Sequence, residues 1–306
     1  MLAFLFGIFV GLRGHLNFHL KPMNINDSAK KVNKAIESNI VLNTSFTFIR
    51  TLSSEKLRTL NYFTNEEVDK IYNPIHIPEP KGDFKNKNVF IIILESFSKS
   101  SIGYYTKQIN PDYAGFTPFL DSLITQSYSF KYSFANAYRS GPAIPVIIAG
   151  MPSLMNEFYL LSAYSNNSIM GLGTLLAKKG YDCSFFHGAD NGSLKFDRFS
   201  NVAGYQHYYG RTEYNNEKDY DGAWGIFDEP FMQFAARTVD AKQKPFLATL
   251  FTLSSHHPYI LPEKYKGKFQ KGTDPIYEMI SYTDNALRNF FNTASKMDWY
   301  ENTLFV

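Results

Sequence analysis

The sequence predicts an α/β domain in which a mostly parallel central sheet is flanked by helices. Residues 89–94 read VFIIIL, and this uninterrupted apolar run is typical of a strand buried on both faces. Similar apolar runs predict strands at residues 183–186, 246–253 and 303–306. Helical segments separate these runs, and an alternation of strands with helices favours a parallel sheet.

The helical segments end at residues that are typical of helix boundaries. They cover residues 171–179, 224–239 and 276–294, and Gly180 ends the first of them. Thr117 is expected to cap a further helix that begins at Pro118, because proline is well tolerated in the first helical turn. Residues 129–134 are predicted as another strand, and the pattern IPVIIAG after it indicates a helix that begins near Ser140.

The chain begins with an apolar run, residues 1–12, that is shorter than the roughly 20 residues needed to span a bilayer. No basic segment precedes it and no clean cleavage site follows it, which disfavours a signal peptide. The run is either a short buried or interfacial helix or the end of a transmembrane helix whose first half is absent. We favour the second reading, in which Arg13, His15 and His19 mark the exit into polar surroundings.

The predicted organisation therefore has three parts. Residues 1–19 are the end of a transmembrane helix, residues 20–85 are a membrane-proximal extracytoplasmic linker with short helices, and residues 86–306 are the α/β domain. Three prolines stiffen the last stretch of the linker, namely Pro74, Pro78 and Pro80.

Composition excludes some classes of function. The formal net charge is +3, and the basic residues are scattered, which argues against a nucleic-acid-binding surface. Cys183 is the only cysteine, so the chain has no internal disulfide and no cysteine-rich metal site. Its apolar surroundings predict a small buried residue.

Polar residues follow three of the predicted strands. Glu95 follows the first, His187 follows the second, and Ser254, Ser255, His256 and His257 follow the third. Ligands of parallel sheets bind beyond the carboxyl ends of the strands, and these ends lie at one edge. The three strand ends together therefore predict a site, although each residue alone has an ordinary structural explanation.

Ser140 is predicted to lie at or just before a helix N-terminus, where unpaired N–H groups favour negative charge. Such a position suits a phosphate or an ionised serine, and Arg139 could neutralise phosphate oxygens. Serines also commonly cap helices. The local sequence leaves both readings open.

Several motifs together resemble one known family. The segments NVFIIILESFS, SFANAYRSGPAIPVIIAGMPSL, FFHGADNGS, DYDGAWGIFDEPF and FTLSSHHPY occur in the order found in the lipoteichoic acid synthase-like phosphoglycerol transferases. These belong to the sulfatase-like branch of the alkaline phosphatase superfamily. The resemblance covers roughly residues 85–306, and residues 1–85 resemble that family's last transmembrane helix and linker.

The resemblance implies a divalent metal, usually Mn²⁺, with Mg²⁺, Zn²⁺ and Ca²⁺ as alternatives. Glu95 matches the family's metal-binding glutamate, and Ser140 matches a hydroxyl nucleophile that also contacts the metal and is threonine in the best-known members. His256 matches the histidine that contacts the transferred phosphate. The resemblance also makes substrate-binding candidates of Arg139, His187, Asp190, Asn191, Trp224 and His257.

The chain departs from the family in two places. An acidic residue, a tryptophan and an arginine of the family's substrate pocket correspond here to Ala189, Leu194 and Phe196, which leaves the headgroup open. Asp190, Asn191 and Trp224 could form a different pocket. The family completes its metal site with an Asp-His pair after the strand that begins here at Thr303, so the resemblance predicts a C-terminally truncated domain that is inactive as it stands.

The resemblance implies transfer of a phosphoglycerol-type headgroup from a membrane phospholipid to a glycan or lipid acceptor, through a phospho-serine, on the extracytoplasmic side of the cell membrane. A phosphoethanolamine transferase, a sulfatase and an inactive binding module are the alternatives. Ser140, Gly141, Pro142 and Ala143 fit the first four positions of the sulfatase signature. Ile144 does not, because the fifth position requires arginine.

Overall fold

The central sheet is built from five parallel strands in the described part of the chain. They are β1 (Asn88–Ile93), β2 (Asp182–His187), β3 (His207–Tyr209), β4 (Phe246–Phe251) and β5 (Thr303–Phe305). Their order in the sheet is β3-β2-β4-β1-β5.

The computed structural model describes residues 1–13, 16, 38–52, 57, 60–73, 77, 79, 81–113, 115–130, 132–242 and 245–306. The predictions for His15, His19, the three linker prolines and residues 20–37 lie outside these ranges.

The helices in chain order are α1 (Leu2–Arg13), α2 (Ser38–Val41), α3 (Thr44–Thr51), α4 (Asn65–Ile71), α5 (Gly103–Thr106), α6 (Pro118–Thr125), α7 (Ser140–Ala149), α8 (Leu172–Ala177), α9 (Phe196–Val202), α10 (Arg211–Tyr214), α11 (Asp228–Asp240) and α12 (Ile276–Ala294). Single 3-10 turns occur at Lys99–Ser101, Tyr159–Leu161, Ser193–Lys195, Glu217–Asp219, Glu263–Tyr265 and Tyr300–Asn302. No helix in the described ranges is long and apolar enough to span a bilayer.

Helices cover both faces of the sheet because alternate side chains of each strand point to opposite faces. Phe90 and Ala248 pack with α11 and α12 on one face. On the other face, Ile91 and Leu247 pack with α7 and α9. The predicted fold class is therefore confirmed, and Cys183 is a fully buried member of the second core, as its surroundings predicted.

Two predicted elements are wrong in detail. The described residues within 129–134 belong to no strand, and their side chains are exposed. Aromatic and polar residues alternate there as in a strand, but in the described part of the chain these residues pair with no strand. Helix α11 begins at Asp228 and not at residue 224, because Ile226 instead donates a 2.9 Å backbone hydrogen bond to Gly188 at the end of β2.

The start of α6 is held differently from the simple cap that the sequence predicts. Thr117 precedes Pro118 as expected, but its hydroxyl makes no capping bond to the helix backbone. It donates to Asp121 at 2.9 Å. The carboxylate of Asp284 in α12 accepts the free N–H groups of Phe119 and Leu120 at 3.0 and 2.8 Å. The helix N-terminus is therefore satisfied by a tertiary contact, which local sequence cannot reveal.

Candidate active site

The register of the sheet brings the three predicted strand ends side by side. Ile93 in β1 lies opposite Phe251 in β4, and Phe251 lies opposite His187 in β2. The segments that follow these residues therefore leave the same edge of the sheet. This places Glu95, His187 and the loop after β4 in one region, as the sequence predicted.

The Ser140 hydroxyl donates a 2.8 Å hydrogen bond to Oε2 of Glu95. Both side chains are half-buried, so the pair lies at the surface of the domain within reach of a ligand. A hydrogen bond to a carboxylate is stronger than one between neutral groups and fixes the direction of the hydroxyl oxygen. The pairing brings together the two residues that the sequence identified as nucleophile and metal ligand.

Glu95 is held in place by the neighbouring strand end. Its backbone N–H donates to the Thr252 hydroxyl at 2.8 Å, and its carbonyl accepts a 2.6 Å hydrogen bond from the Ser255 hydroxyl. Ser96 donates to the other carboxylate oxygen at 3.1 Å. Ser96 has a φ of +60°, a left-handed conformation that costs a non-glycine residue about 1–2 kcal/mol. This strained turn lies directly after Glu95, where the chain has left β1.

Ser140 is the first residue of α7, and Arg139 is the N-cap residue. The Arg139 side chain makes no capping hydrogen bond to this helix end. The Ser140 hydroxyl points to Glu95 instead, so the structure favours the site reading over the capping reading that the local sequence left open. Arg139 is exposed, with its guanidinium carbon 5.5 Å from the centre of the Tyr138 ring.

A divalent cation fits part of this arrangement. A carboxylate oxygen and a hydroxyl oxygen are hard donors of the kind that Mn²⁺ and Mg²⁺ prefer, and their 2.8 Å separation allows both to contact one ion. Such ions require about six ligands in all. In the described residues, no group of three or more His, Cys, Asp or Glu side chains comes together. Glu95 and Ser140 therefore form an incomplete donor set.

His256 and His257 lie on the loop after β4 and are packed against Trp224. The Trp224 indole N–H donates to the carbonyl of His257 at 2.6 Å, and its ring centre lies 4.2 Å from that of His256. The His256 ring is partly exposed and contacts the same His257 carbonyl at 2.8 Å. The structure thus groups three candidate residues in one cluster.

His187 differs from the other candidates because its side chain is only 2% exposed. Nδ1 contacts the Phe251 carbonyl at 3.2 Å, and the imidazole stacks on the Phe251 ring at 4.8 Å. Burial, opposed by the Phe251 hydrogen bond and assisted by nearby His256, lowers its pKa to about 4. His187 is therefore neutral at physiological pH. Its role in substrate binding remains a prediction.

Asp190 and Asn191 form hydrogen bonds with side chains of α10. Arg211 donates to Asp190 at 2.9 Å. Asn191 donates to both carboxylate oxygens of Glu213 at 3.0 Å. These contacts tie the segment after β2 to α10.

Asp228 was not among the candidate residues that the sequence analysis named. Its carboxylate is completely buried and accepts hydrogen bonds from the Leu253 and Ser254 backbone and from the Thr283 hydroxyl, at 2.7, 3.2 and 2.8 Å. It thereby fixes the start of the loop that carries Ser255 and His256. Burial raises its pKa to about 6, although the hydrogen bonds oppose this effect. Its place in the DYDGAWGIFDEPF motif was the available signal.

The model of the family described as Sulfatase matches residues 87–306, which include every element of the sheet. The chain belongs to the sulfatase family. The match confirms the superfamily that the motifs resembled.

Individual proteins similar to this sulfatase-family chain agree with that assignment. Lipoteichoic acid synthase 1 of Bacillus subtilis is 24% identical in an alignment of 279 residues that covers 84% of this chain and 42% of that protein. A crystal structure of an alkaline phosphatase superfamily protein from Vibrio parahaemolyticus matches with a TM-score of 0.62 and 25% identity, over 73% of this chain and 54% of the other. The lipoteichoic acid synthase LtaP from Listeria monocytogenes shares the fold, with a TM-score of 0.63 and 21% identity over 72% and 55% of the two chains.

The chain spans less than half the length of the curated relative described above. Two of the three positions that depart from the family's pocket are buried, with Ala189 1% and Phe196 0% exposed, whereas Leu194 is partly buried. Ile144, which occupies the fifth position of the sulfatase signature, is 1% exposed and belongs to the core beside the sheet. The three buried side chains therefore serve packing in this member of the family.

Proposed function

We propose that this chain carries catalytic residues for transfer of a phosphoglycerol-type headgroup from a membrane phospholipid to a glycan or lipid acceptor. The observation that carries the proposal is the hydrogen bond between Ser140 and Glu95 at the N-terminus of α7. The names of the similar proteins, which include lipoteichoic acid synthases, support the chemical class. The catalytic domain would act on the extracytoplasmic side of the cell membrane.

In the first step, the Ser140 hydroxyl loses its proton to water and its Oγ attacks the phosphorus of the phosphodiester. A serine–phosphate ester bond forms, and the ester bond to the diacylglycerol oxygen breaks. Glu95 fixes the direction of Oγ through its hydrogen bond. A divalent metal, Mn²⁺ in our proposal, would be held by Glu95 and Ser140 and would lower the pKa of the hydroxyl and neutralise phosphoryl charge.

His256 is proposed to hydrogen bond the phosphoryl oxygens or to donate the proton that the departing diacylglycerol oxygen requires. The Trp224 ring contacts the His256 ring directly and supports its position. In the second step, the acceptor oxygen attacks the phosphorus of the phospho-serine, and its proton passes to His256. The serine–phosphate bond breaks, and the departing Ser140 oxygen takes a proton from water. The unpaired N–H groups at the start of α7 favour the anionic phosphate in both steps.

Ser140→Ala tests the proposal directly. Because the resemblance predicts that an Asp-His pair after β5 completes the metal site, a version of the chain extended by that pair is incubated with Mn²⁺ and vesicles of phosphatidylglycerol labelled in the headgroup. Labelled protein and free diacylglycerol are then measured. We expect both products with the unsubstituted chain and with Ser140→Thr, and neither with Ser140→Ala. Ser295→Ala, which changes an exposed serine after α12, is the matched control.

Three other outcomes would lead to different conclusions. Retained labelling in Ser140→Ala would remove this residue from the mechanism. Absence of both products from the unsubstituted chain would support the alternative of an inactive binding module. Formylglycine at position 140, detected by mass spectrometry, would support sulfatase activity, which the buried isoleucine at position 144 disfavours.

A further inference from the structure

A segment rich in exposed aromatic side chains leads directly into the Ser140 helix. We define the aromatic segment as residues 128–138. Five of its side chains are between 78% and 103% exposed, namely Tyr128, Phe130, Tyr132, Phe134 and Tyr138. Soluble domains rarely expose large contiguous apolar patches, and those that do occur commonly mark sites of interaction. The exposed aromatic side chains beside the candidate nucleophile therefore indicate a site of interaction.

The aromatic segment is attached to a second exposed apolar residue near the same helix. Asn136 accepts a 2.6 Å hydrogen bond from the backbone N–H of Ser153, beyond the C-terminal end of α7. The adjacent Leu154 is 82% exposed. This contact joins the segments on the two sides of α7, so that exposed apolar side chains occur both before and after the helix that begins with Ser140.

The charge of this region distinguishes between the classes of partner. The sequence contains no acidic residue between Asp121 and Glu157, whereas Lys131 and Arg139 lie within or next to the aromatic segment. Aromatic side chains favour the boundary between lipid and water, and basic residues are attracted to anionic headgroups. Phe130 and Phe134 have no polar group with which to hydrogen bond a sugar.

We propose that the aromatic segment docks on the surface of an anionic phospholipid bilayer and thereby brings Ser140 to the headgroup layer. Because this surface borders the candidate site, the inference rests on the proposed function. Its experimental readout requires no catalytic step. The aromatic side chains enter the interfacial layer, and Arg139 faces the phosphates.

The single buried cysteine makes a site-specific test simple. Cys183 is 0% exposed, so an introduced exposed cysteine can be labelled selectively with an environment-sensitive fluorophore. Phe130→Cys places the label in the aromatic segment of the full chain. Glu301→Cys is the matched control, because exposed Glu301 precedes β5 at the opposite edge of the sheet from Glu95.

We expect vesicles containing phosphatidylglycerol to shift the emission of the label at position 130 to shorter wavelength and to increase its intensity at least twofold. Vesicles of phosphatidylcholine should give a smaller response, and the label at position 301 should not respond. Ser140→Ala in the Phe130→Cys background should keep the response, which separates this test from that of the proposed function. Equal responses at both positions would overturn the proposal. A response to soluble oligosaccharide or to protein concentration alone would do so too.

Discussion

The hydroxyl of Ser140 lies 2.8 Å from Oε2 of Glu95, although the two residues are 45 positions apart in the chain. Glu95 follows strand β1, and Ser140 begins helix α7, so the contact depends on how α7 packs against the sheet. Ile144 and Ile148 anchor α7 in the core that contains Ile91. The candidate nucleophile is therefore positioned by apolar packing.

Replacement of Glu95 by glutamine should weaken Mn²⁺ binding by about tenfold or more, equivalent to at least ~1.4 kcal/mol, because a neutral amide is a poorer ligand than a carboxylate. Titration calorimetry of the full chain measures the effect. Glu301→Gln changes an exposed glutamate remote from the site and should bind as the unsubstituted chain does. Equal affinities for both variants would contradict a role for Glu95 as a metal ligand.

Replacement of Asp228 by alanine should lower the free energy of unfolding by about 3 kcal/mol or more, because buried donors on Leu253, Ser254 and Thr283 lose their acceptor. Denaturant titration measures the loss. Asp240→Ala, at the exposed end of the same helix, should change stability by less than about 0.5 kcal/mol. A similar small effect in both variants would show that these donors find other partners.

The buried imidazole of His187 should make the chain sensitive to acid. Its pKa is about 4 in the folded state, below the ordinary value of 6.5 that applies after unfolding. The unfolded chain therefore binds more protons between these values, so the free energy of unfolding falls as the pH drops from 6.5 to 4. The contribution amounts to about 3 kcal/mol when fully expressed.

His187→Phe isolates this effect because other titrating groups are common to both proteins. Denaturant titrations at pH 7 and at pH 4.5 should show a larger loss of stability for the unsubstituted chain than for the variant. Loss of equal size in the two proteins would mean that the His187 imidazole titrates with its ordinary pKa in the folded state.

Trp224 should matter to activity through both its ring and its N–H. Trp224→Ala removes the contact with His256 and the hydrogen bond to His257, so we expect diacylglycerol release to fall by about tenfold, as for other losses of positioning worth ~1.4 kcal/mol. Trp224→Phe keeps an aromatic ring and should lose less. The rates are compared at saturating lipid. Trp299→Phe, which changes a tryptophan of the core, is the control. An unchanged rate in Trp224→Ala would show that His256 needs no such support.

Much of the fold could be predicted because strand β1 and helix α12 have clear patterns. The apolar run at residues 89–94 coincides closely with Asn88–Ile93, and the helix at Ile276–Ala294 has the predicted bounds. Strand β3 was missed, because three residues are too few to display a periodicity. Residues 129–134 show the opposite error, since an alternating pattern without a neighbouring strand produces no sheet.

Local sequence by itself determined the α/β class, the strand-end positions of Glu95, His187 and His256, and the position of Ser140 near a helix N-terminus. These features depend on side-chain periodicity and on short-range backbone preferences. Tertiary structure alone decided that Ser140 pairs with Glu95, that the His187 ring is buried, and that Asp228 fixes the loop before His256. Those relationships arise from packing between segments distant in sequence, whose relative placement no local pattern encodes.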